Sequence, residues 1–374
     1  MIYLDHNATT PVDSRVLEAM IPYLKSWYGN PSSLYKAGRM TRGAIEIARE
    51  QVAALVSAHP SQVIFTSGGT EANNLAIKGI ASNKKAGIIS IGATEHPSVS
   101  NPALALTTLG WKIRTIPVNY SGQIDQTQLI SEPNGSFQLI SLMLANNETG
   151  VIQDIPQLTD AIKSDATIIH TDAIQAAGKI PINFERLGVH LMSLSAHKIY
   201  GPKGIGALIF DKSVTLEPHI HGGGQEHELR GGTENVAAIV GFGKAAELAI
   251  NELENRQQHF AKHRVYLEEA LEKYPGITIF GKQTNRLSNT LLIGIDNTNG
   301  EMLLMELDRK GIAISSGSAC SSESGKPSHV LMAMGVNENL ARSAIRISLG
   351  IDNTKADIDQ FLIVLRDLFP SQSL

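Results

Sequence analysis

The chain has 374 residues, of which 42% are hydrophobic and 18% charged, and its formal net charge is −4. This composition is typical of a globular protein, because a disordered chain would be less hydrophobic and a membrane protein would contain longer apolar runs. The weak negative charge gives no overall attraction to nucleic acid or to an anionic membrane, so we expect neither as a partner.

The amino terminus and the cysteine usage indicate the compartment. Residues 1–6 lack the basic segment and the apolar stretch of a signal peptide, and they predict a strand that runs into a turn. Cys320 is the only cysteine in the sequence, which suits a reducing environment. We therefore expect a cytoplasmic protein.

From residue 63 to residue 195, short β-branched runs alternate with segments of helical periodicity, which is typical of a parallel sheet wrapped by helices. The predicted strands are 63–66, 87–91, 112–116, 139–144, 167–172 and 191–195, and the predicted helices are 71–78, 98–109 and 156–163. Parallel sheets bind ligands beyond the carboxyl ends of their strands, so we expect the functional residues there.

The rest of the chain predicts a second, smaller domain. The stretch 239–273 has helical spacing and bridges two domains in this interpretation. After it, strands and helices alternate in a pattern suited to a small α+β domain, with predicted elements at 277–280, 291–295, 303–309 and 345–349. We predict an α/β fold with a large domain over 13–250 and a small domain formed by 1–12 and 251–374.

Lys198 follows a buried strand and precedes a glycine-rich turn, so it is held at the mouth of the predicted sheet. A lysine in a turn is usually a surface residue. A partly desolvated lysine, however, loses its proton more easily and can form a Schiff base.

Four other strand ends carry polar groups. The small residues at 66–70 lead into a helix, whose free N–H groups can bind a phosphate, although Thr70 can also be a simple helix cap. Asp172 ends a buried strand and can hold a positively charged ring nitrogen, or act as a cap. His96 can stack its flat ring on a ligand, or it can be a structural histidine. Residues 146–150 offer amide donors. Together with Lys198, these groups form the parts of a pyridoxal phosphate site.

The sequence also resembles the cysteine desulfurases of the class V aminotransferase family, in the branch that supplies sulfur for iron–sulfur clusters. The resemblance spans nearly the whole chain, and its most specific motifs are 195–204 and 315–320. It implies the type I fold of pyridoxal-phosphate-dependent transferases, with a mainly parallel seven-stranded sheet in the large domain.

The resemblance implies that Lys198 binds pyridoxal phosphate covalently, that Asp172 pairs with the pyridine nitrogen, and that His96 stacks on the ring. It implies contacts to the ring hydroxyl region from Gln175 and Asn147, and contacts to the phosphate from Gly69, Thr70, Ser195 and His197. The resemblance further implies that Thr233 of a second subunit completes the phosphate site, and hence a homodimer with shared active sites. The resemblance also implies that Arg346 binds the carboxylate of the substrate, with help from Asn147.

Cys320 lies among small residues at about 315–327, and this composition predicts a mobile, exposed loop rather than a buried thiol. The resemblance implies that L-cysteine is converted to L-alanine and that its sulfur becomes a persulfide on Cys320, with His96 as one candidate for activating the thiol. No resident metal is expected, and Cys320 is a candidate ligand for a cluster.

Several alternatives remain open from the sequence. The chain can be another class V enzyme, such as a selenocysteine lyase, a cystine lyase or an aminotransferase. A metal-binding protein that uses His219, His221 and His227 is disfavoured because no acidic or thiol ligand has suitable spacing. Family members that feed a cluster scaffold usually have a longer carboxy-terminal tail, whereas this sequence ends at Leu374. The sulfur acceptor, a scaffold or a thiotransferase, therefore stays open among iron–sulfur, transfer RNA, DNA and nitrogenase pathways.

Overall fold

The computed structural model describes residues 1–130, 137–162, 166–317 and 326–369. Within these ranges, no helix is long and apolar enough to cross a membrane. The strands are β1 (Ile2–Tyr3), β2 (Val63–Thr66), β3 (Ile88–Gly92), β4 (Lys112–Ile116), β5 (Phe137–Ser141), β6 (Ile168–Asp172), β7 (Leu191–Ser195), β8 (Gly206–Phe210), β9 (Ile277–Ile279), β10 (Thr290–Ile295), β11 (Ile312–Ala313), β12 (Ser315–Ser316) and β13 (Ile345–Ser348).

The helices cover both faces of the main sheet and also pack against the smaller sheet. They are α1 (Ser14–Lys25), α2 (Lys36–Leu55), α3 (Gly69–Ser82), α4 (Pro97–Ala105), α5 (Gln126–Ile130), α6 (Ile155–Ala161), α7 (Val236–Asn251), α8 (Leu253–Leu271), α9 (Gly300–Arg309), α10 (His329–Ala333), α11 (Glu338–Arg342) and α12 (Lys355–Leu368). The predicted helical stretch 239–273 is thus two helices, α7 and α8, which meet at Glu252.

The main sheet has seven strands in the order β2-β8-β7-β6-β5-β3-β4. All its neighbouring pairs are parallel except those of β8, which runs antiparallel to both β2 and β7. The predicted mainly parallel seven-stranded sheet is confirmed.

Two apolar layers enclose this sheet, because successive side chains of each strand point to opposite faces. Ile64 packs in the layer that contains Leu75 of α3, whereas Phe65 packs in the layer that contains Phe242 of α7. Strands buried on both faces have apolar side chains at nearly every position, and this explains the apolar runs of the sequence.

The smaller sheet is antiparallel, in the order β12-β13-β10-β9, and β1 pairs with β11 beside it. Its own apolar cluster includes Leu4 from the amino terminus, Leu267 of α8 and Phe361 of α12. We propose the domain division 13–250 against 1–12 and 251–374, and the separate cores together with the break at Glu252 support it.

Candidate active site

A cavity of about 340 Å³ lies beyond the carboxyl ends of the parallel strands, where the fold brings polar residues from several elements together. The predicted site residues that line it are Gly69, Thr70, His96, Asn147, Asp172, Gln175, Ser195, His197, Lys198 and Arg346. Thr233 is exposed and does not line this cavity. Cys320 lies outside the described residues.

Lys198 is placed at the cavity by a short turn that directly follows β7. Its Nζ donates to the backbone oxygens of Asn7 at 2.7 Å and Ala8 at 2.6 Å. The chain turns tightly after the lysine, and a Cβ atom on Gly201 would lie 2.9 Å from the Ala196 carbonyl oxygen. The amine is therefore held by the amino-terminal segment rather than extended into solvent.

The amino terminus of α3 forms an anion cradle at the cavity. A Cβ atom on Gly69 would lie 2.2 Å from Ile174 Cδ1, so only glycine lets the backbone approach this closely. The first N–H groups of a helix have no partner within the helix and attract negative charge. The Ser195 hydroxyl oxygen is buried and has no hydrogen-bond partner among the described residues. These donors fit a phosphate group.

Asp172 is the buried acid at the end of β6. Its Oδ2 accepts from Asn73 Nδ2 at 2.8 Å and its Oδ1 accepts from the Ile174 N–H at 3.0 Å. A carboxylate fixed in this way can pair with a protonated ring nitrogen, as a pyridine ring in this cavity requires. Asn73 was missed by the sequence interpretation, although it lies one helical turn after Thr70.

Burial favours the neutral form of two histidines of the cavity. Burial lowers the pKa of His96, and the charges of Lys198 and His329 add to this while Asp172 opposes it. Burial, with nearby Lys198, Lys203 and Lys179, lowers the pKa of His197 to about 4. A neutral His96 can stack on an aromatic ring, and a neutral His197 can donate one hydrogen bond to an anion.

Arg346 reaches the cavity from β13 of the smaller sheet. Its two terminal nitrogens donate to Asp5 Oδ1 at 2.7 Å and to the Asn147 backbone oxygen at 3.0 Å. Its Nε has no partner among the described residues, and the guanidinium is almost fully buried. A fixed guanidinium at this position is suited to binding the carboxylate of a small substrate.

The histidines proposed as metal ligands do not form a site. His219, His221 and His227 are exposed. In the part of the chain that the structure describes, no group of three or more His, Cys, Asp or Glu side chains is placed to hold a metal ion.

Glu148, next to Asn147, is a buried carboxyl that the sequence interpretation also missed. Its Oε2 accepts a hydrogen bond from the Ser328 hydroxyl, which also caps α10. Burial raises the pKa of Glu148 to about 7, against the opposing effects of Ser328 and Arg346. A carboxyl whose pKa is raised by folding contributes stability below its ordinary pKa and loses it as the pH rises through the raised value.

We therefore expect Glu148→Gln to gain stability relative to the wild type as the pH rises from about 5 to about 8. Urea unfolding of both proteins across this range measures the difference. The exposed Glu185, replaced by Gln, is the matched control and should show no such trend. A difference between Glu148→Gln and the wild type that stays constant with pH would contradict the expectation.

Comparison with known proteins agrees with this geometry. The model of the "Aminotransferase class-V" family matches residues 2–361. The cysteine desulfurase IscS of Dictyoglomus turgidum is 46% identical over 97% of this chain and 93% of its own length. Among solved structures, a NifS-like protein from Rickettsia africae is 39% identical, with a TM-score of 0.90 over 99% of both chains. SspA in complex with cysteine is 35% identical, with a TM-score of 0.84 over 93% of this chain and 99% of its own.

These similarities confirm the predicted resemblance and the predicted fold type. The cavity also fits the family's cofactor, pyridoxal phosphate, since it offers an anion cradle, an acid for a ring nitrogen and an amine. The chain therefore belongs to the class-V aminotransferase family.

Proposed function

We propose that the chain is a pyridoxal-phosphate-dependent cysteine desulfurase, which converts L-cysteine to L-alanine and transfers the sulfur to Cys320 as a persulfide. The observation that carries this proposal is the single cavity that joins Lys198, Asp172 and the α3 cradle to Arg346. The names of the relatives and the cysteine complex of SspA support cysteine as the substrate.

The cofactor would be held by residues of the large sheet, with its phosphate at Gly69, Thr70, Ser195 and His197. Asp172 would keep the ring nitrogen protonated, His96 would cover the ring face, and Gln175 would lie at the ring hydroxyl. When bound, pyridoxal phosphate supplies an electron sink for the bonds to the substrate Cα.

Arg346 and Asn147 would orient the substrate through its carboxylate, so that the Cα–H bond faces Lys198. Lys198 would then take the Cα proton and return a proton as the reaction proceeds. The Cys320 thiolate would attack the substrate sulfur, so that the carbon–sulfur bond breaks, a sulfur–sulfur bond forms and alanine is released after protonation.

The described residues that follow the Cys320 segment support this role. The Ser328 hydroxyl bonds to Glu148, and His329 Nε2 lies 3.0 Å from the Glu95 backbone oxygen. Glu148 and Glu95 are the sequence neighbours of Asn147 and His96. Ser328 and His329 are therefore fixed beside the cavity.

A homodimer with shared active sites belongs to the proposal. Thr233 is exposed and away from its own cavity, as expected if it completes the phosphate site of a partner subunit. Leu17, Leu24 and Leu34, near one another in sequence, also expose large apolar side chains that a second copy could cover.

The cytoplasm is the proposed compartment, because a single thiol must stay reduced to act. The proposed sulfur acceptor is a protein with a thiol or a cluster site.

The proposal is tested by assaying the products from L-cysteine with a thiol reductant present. The wild type should form alanine and sulfide in equal amounts, whereas a transaminase would form an oxo acid. Cys320→Ser should lose sulfide release while it keeps the absorbance of the bound cofactor. If the variant released sulfide at the normal rate, the persulfide step would be wrong.

A further inference from the structure

Lys179 is a buried lysine that no step of the proposed reaction uses. It is only 7% exposed, and its Nζ donates to Gln175 Oε1 at 2.7 Å and to Asn7 Oδ1 at 3.1 Å. Both of these acceptors are neutral amides. Burial, with the nearby charges of Lys198 and Arg346, holds the pKa of Lys179 well below its usual range. A buried amine is costly, so its position requires a reason.

The backbone before Lys179 directs the side chain inward. Gly178 has a φ of 69°, in the left-handed region that favours glycine. A Cβ atom on Gly178 would lie 2.7 Å from Cγ2 of Ile199, and Ile199 is the residue that follows Lys198 in the chain. The turn that carries Lys179 therefore packs against the turn that carries Lys198.

Lys179 determines how two amides point, because an ammonium or amine proton can only be donated to their oxygens. With Gln175 Oε1 fixed in this way, Gln175 Nε2 faces the backbone oxygen of Asn7, to which it donates at 2.9 Å. With Asn7 Oδ1 fixed, Asn7 Nδ2 donates to the Asn147 backbone oxygen at 3.1 Å and to Thr290 Oγ1 at 2.8 Å. Asn289 Nδ2 also donates to Asn7 Oδ1, at 3.0 Å, which favours the same orientation.

The backbone oxygen of Asn7 links this arrangement to the reactive amine. It accepts from Gln175 Nε2 and from Lys198 Nζ together. Because Asn7 is 1% exposed and bonded through both ends of its side chain, its carbonyl oxygen has a fixed position. Loss of the Lys179 bonds removes the donor to Gln175 Oε1 and one of the two donors to Asn7 Oδ1, and so loosens the contacts that define that position.

We propose that Lys179 is a positioning residue for Lys198 and Gln175, which it holds in place through the amides of Asn7 and Gln175. This inference rests on the proposed function only in that Lys198 is taken as the reacting amine. Lys179 itself does not line the cavity.

The first test is made on the apoprotein, without L-cysteine. Pyridoxal, which lacks the phosphate, is reacted with the protein, trapped with borohydride and located by peptide mass spectrometry, with exposed Lys203 as the internal standard. We expect Lys179→Met to slow the labelling of Lys198 relative to Lys203 by about ten-fold or more, because a displaced amine no longer faces the cavity. Lys179→Gln keeps an amide donor, so its loss should be smaller.

The second readout is the steady state of the holoenzyme with L-cysteine. We expect kcat to fall by roughly ten- to a hundred-fold in Lys179→Met, with KM changed by less than about two-fold, because Lys179 positions a reacting group and does not bind the substrate. As the charge control, replacement of the exposed Lys212 by methionine should leave both constants unchanged. Lys179→Gln provides the same readouts if Lys179→Met fails to fold.

An unchanged ratio of Lys198 to Lys203 labelling in the folded variants would overturn the inference, and so would a fall in melting temperature alone. The two proposals fail separately. If the wild type makes no alanine from L-cysteine, the proposed function is wrong while the labelling result still holds. If the wild type is active and the variants label normally, only the role of Lys179 is wrong.

Discussion

Replacing Lys198 by alanine is expected to lower alanine formation from L-cysteine by about 10⁴-fold, the upper range for loss of a positioned acid–base group. Lys198 is the amine that the turn after β7 holds at the cavity, on the backbone oxygens of Asn7 and Ala8. Its removal takes away both the group that moves the Cα proton and the covalent attachment of the cofactor. Alanine is measured by amino-acid analysis.

The absorbance that stays with the protein after gel filtration provides a second measurement for the same variant. We expect this absorbance to change its position or to be lost in Lys198→Ala, because the covalent link cannot form. Lys212→Ala removes an exposed lysine that does not line the cavity and should keep both activity and absorbance. Alanine formation at the wild-type rate in Lys198→Ala would contradict the assignment.

Replacing Arg49 by methionine is expected to lower the free energy of unfolding by about 3–5 kcal/mol, because the change leaves a buried carboxylate without its counter-charge. The Arg49 guanidinium donates to both oxygens of Glu226, at 2.8 and 2.7 Å, and both side chains are at most 5% exposed. The Phe65 N–H also donates to Glu226, at 2.7 Å. The pair thus joins α2 and β2 to the turn at 225–228.

This ion pair also supports an unusual backbone. Glu226, His227 and Glu228 all have positive φ values, of 45°, 58° and 67°, which are costly for residues with side chains. The Arg49 bonds fix the first of these residues in place. Thr233 follows a few residues later, so the pair holds the segment that presents Thr233 to the proposed partner subunit.

Urea unfolding of the holoenzyme measures the effect of Arg49→Met. The matched control is Arg309→Met, which breaks the exposed ion pair with Glu306 and should cost no more than about 1 kcal/mol. The double variant Arg49→Met with Glu226→Gln should recover part of the loss, since it removes the unpaired charge. Equal losses for Arg49→Met and Arg309→Met would contradict the expected contribution of burial.

Much of the large sheet could be predicted from apolar periodicity. Strands β2, β4 and β7 have the predicted bounds, whereas β5 is Phe137–Ser141 in place of 139–144. The apolar run continues to residue 144 because those side chains stay buried after the strand ends. The prediction lacked β8, since Gly206 looks like part of a turn. A Cβ atom there would lie 2.6 Å from the backbone of Gly68, and this contact cannot be read from spacing.

The site shows the same division between local and long-range information. Lys198, Asp172 and Thr70 follow or flank strand ends, so the strand pattern and the chemistry of the residues together predicted their meeting. Asn7 was missed because its contacts join segments more than a hundred residues apart, such as Asn7 with Gln175. The bond from Lys179 to Asn7 likewise joins distant segments. Sequence spacing holds no signal for such contacts, and only the fold brings them together.

The most direct test of the central claim is mass spectrometry of the wild-type holoenzyme after a single turnover with L-cysteine and without a reductant. The account predicts one additional sulfur atom on Cys320 for each alanine released. Alanine released at the normal rate with Cys320 unmodified, or an oxo acid in place of alanine, would contradict it.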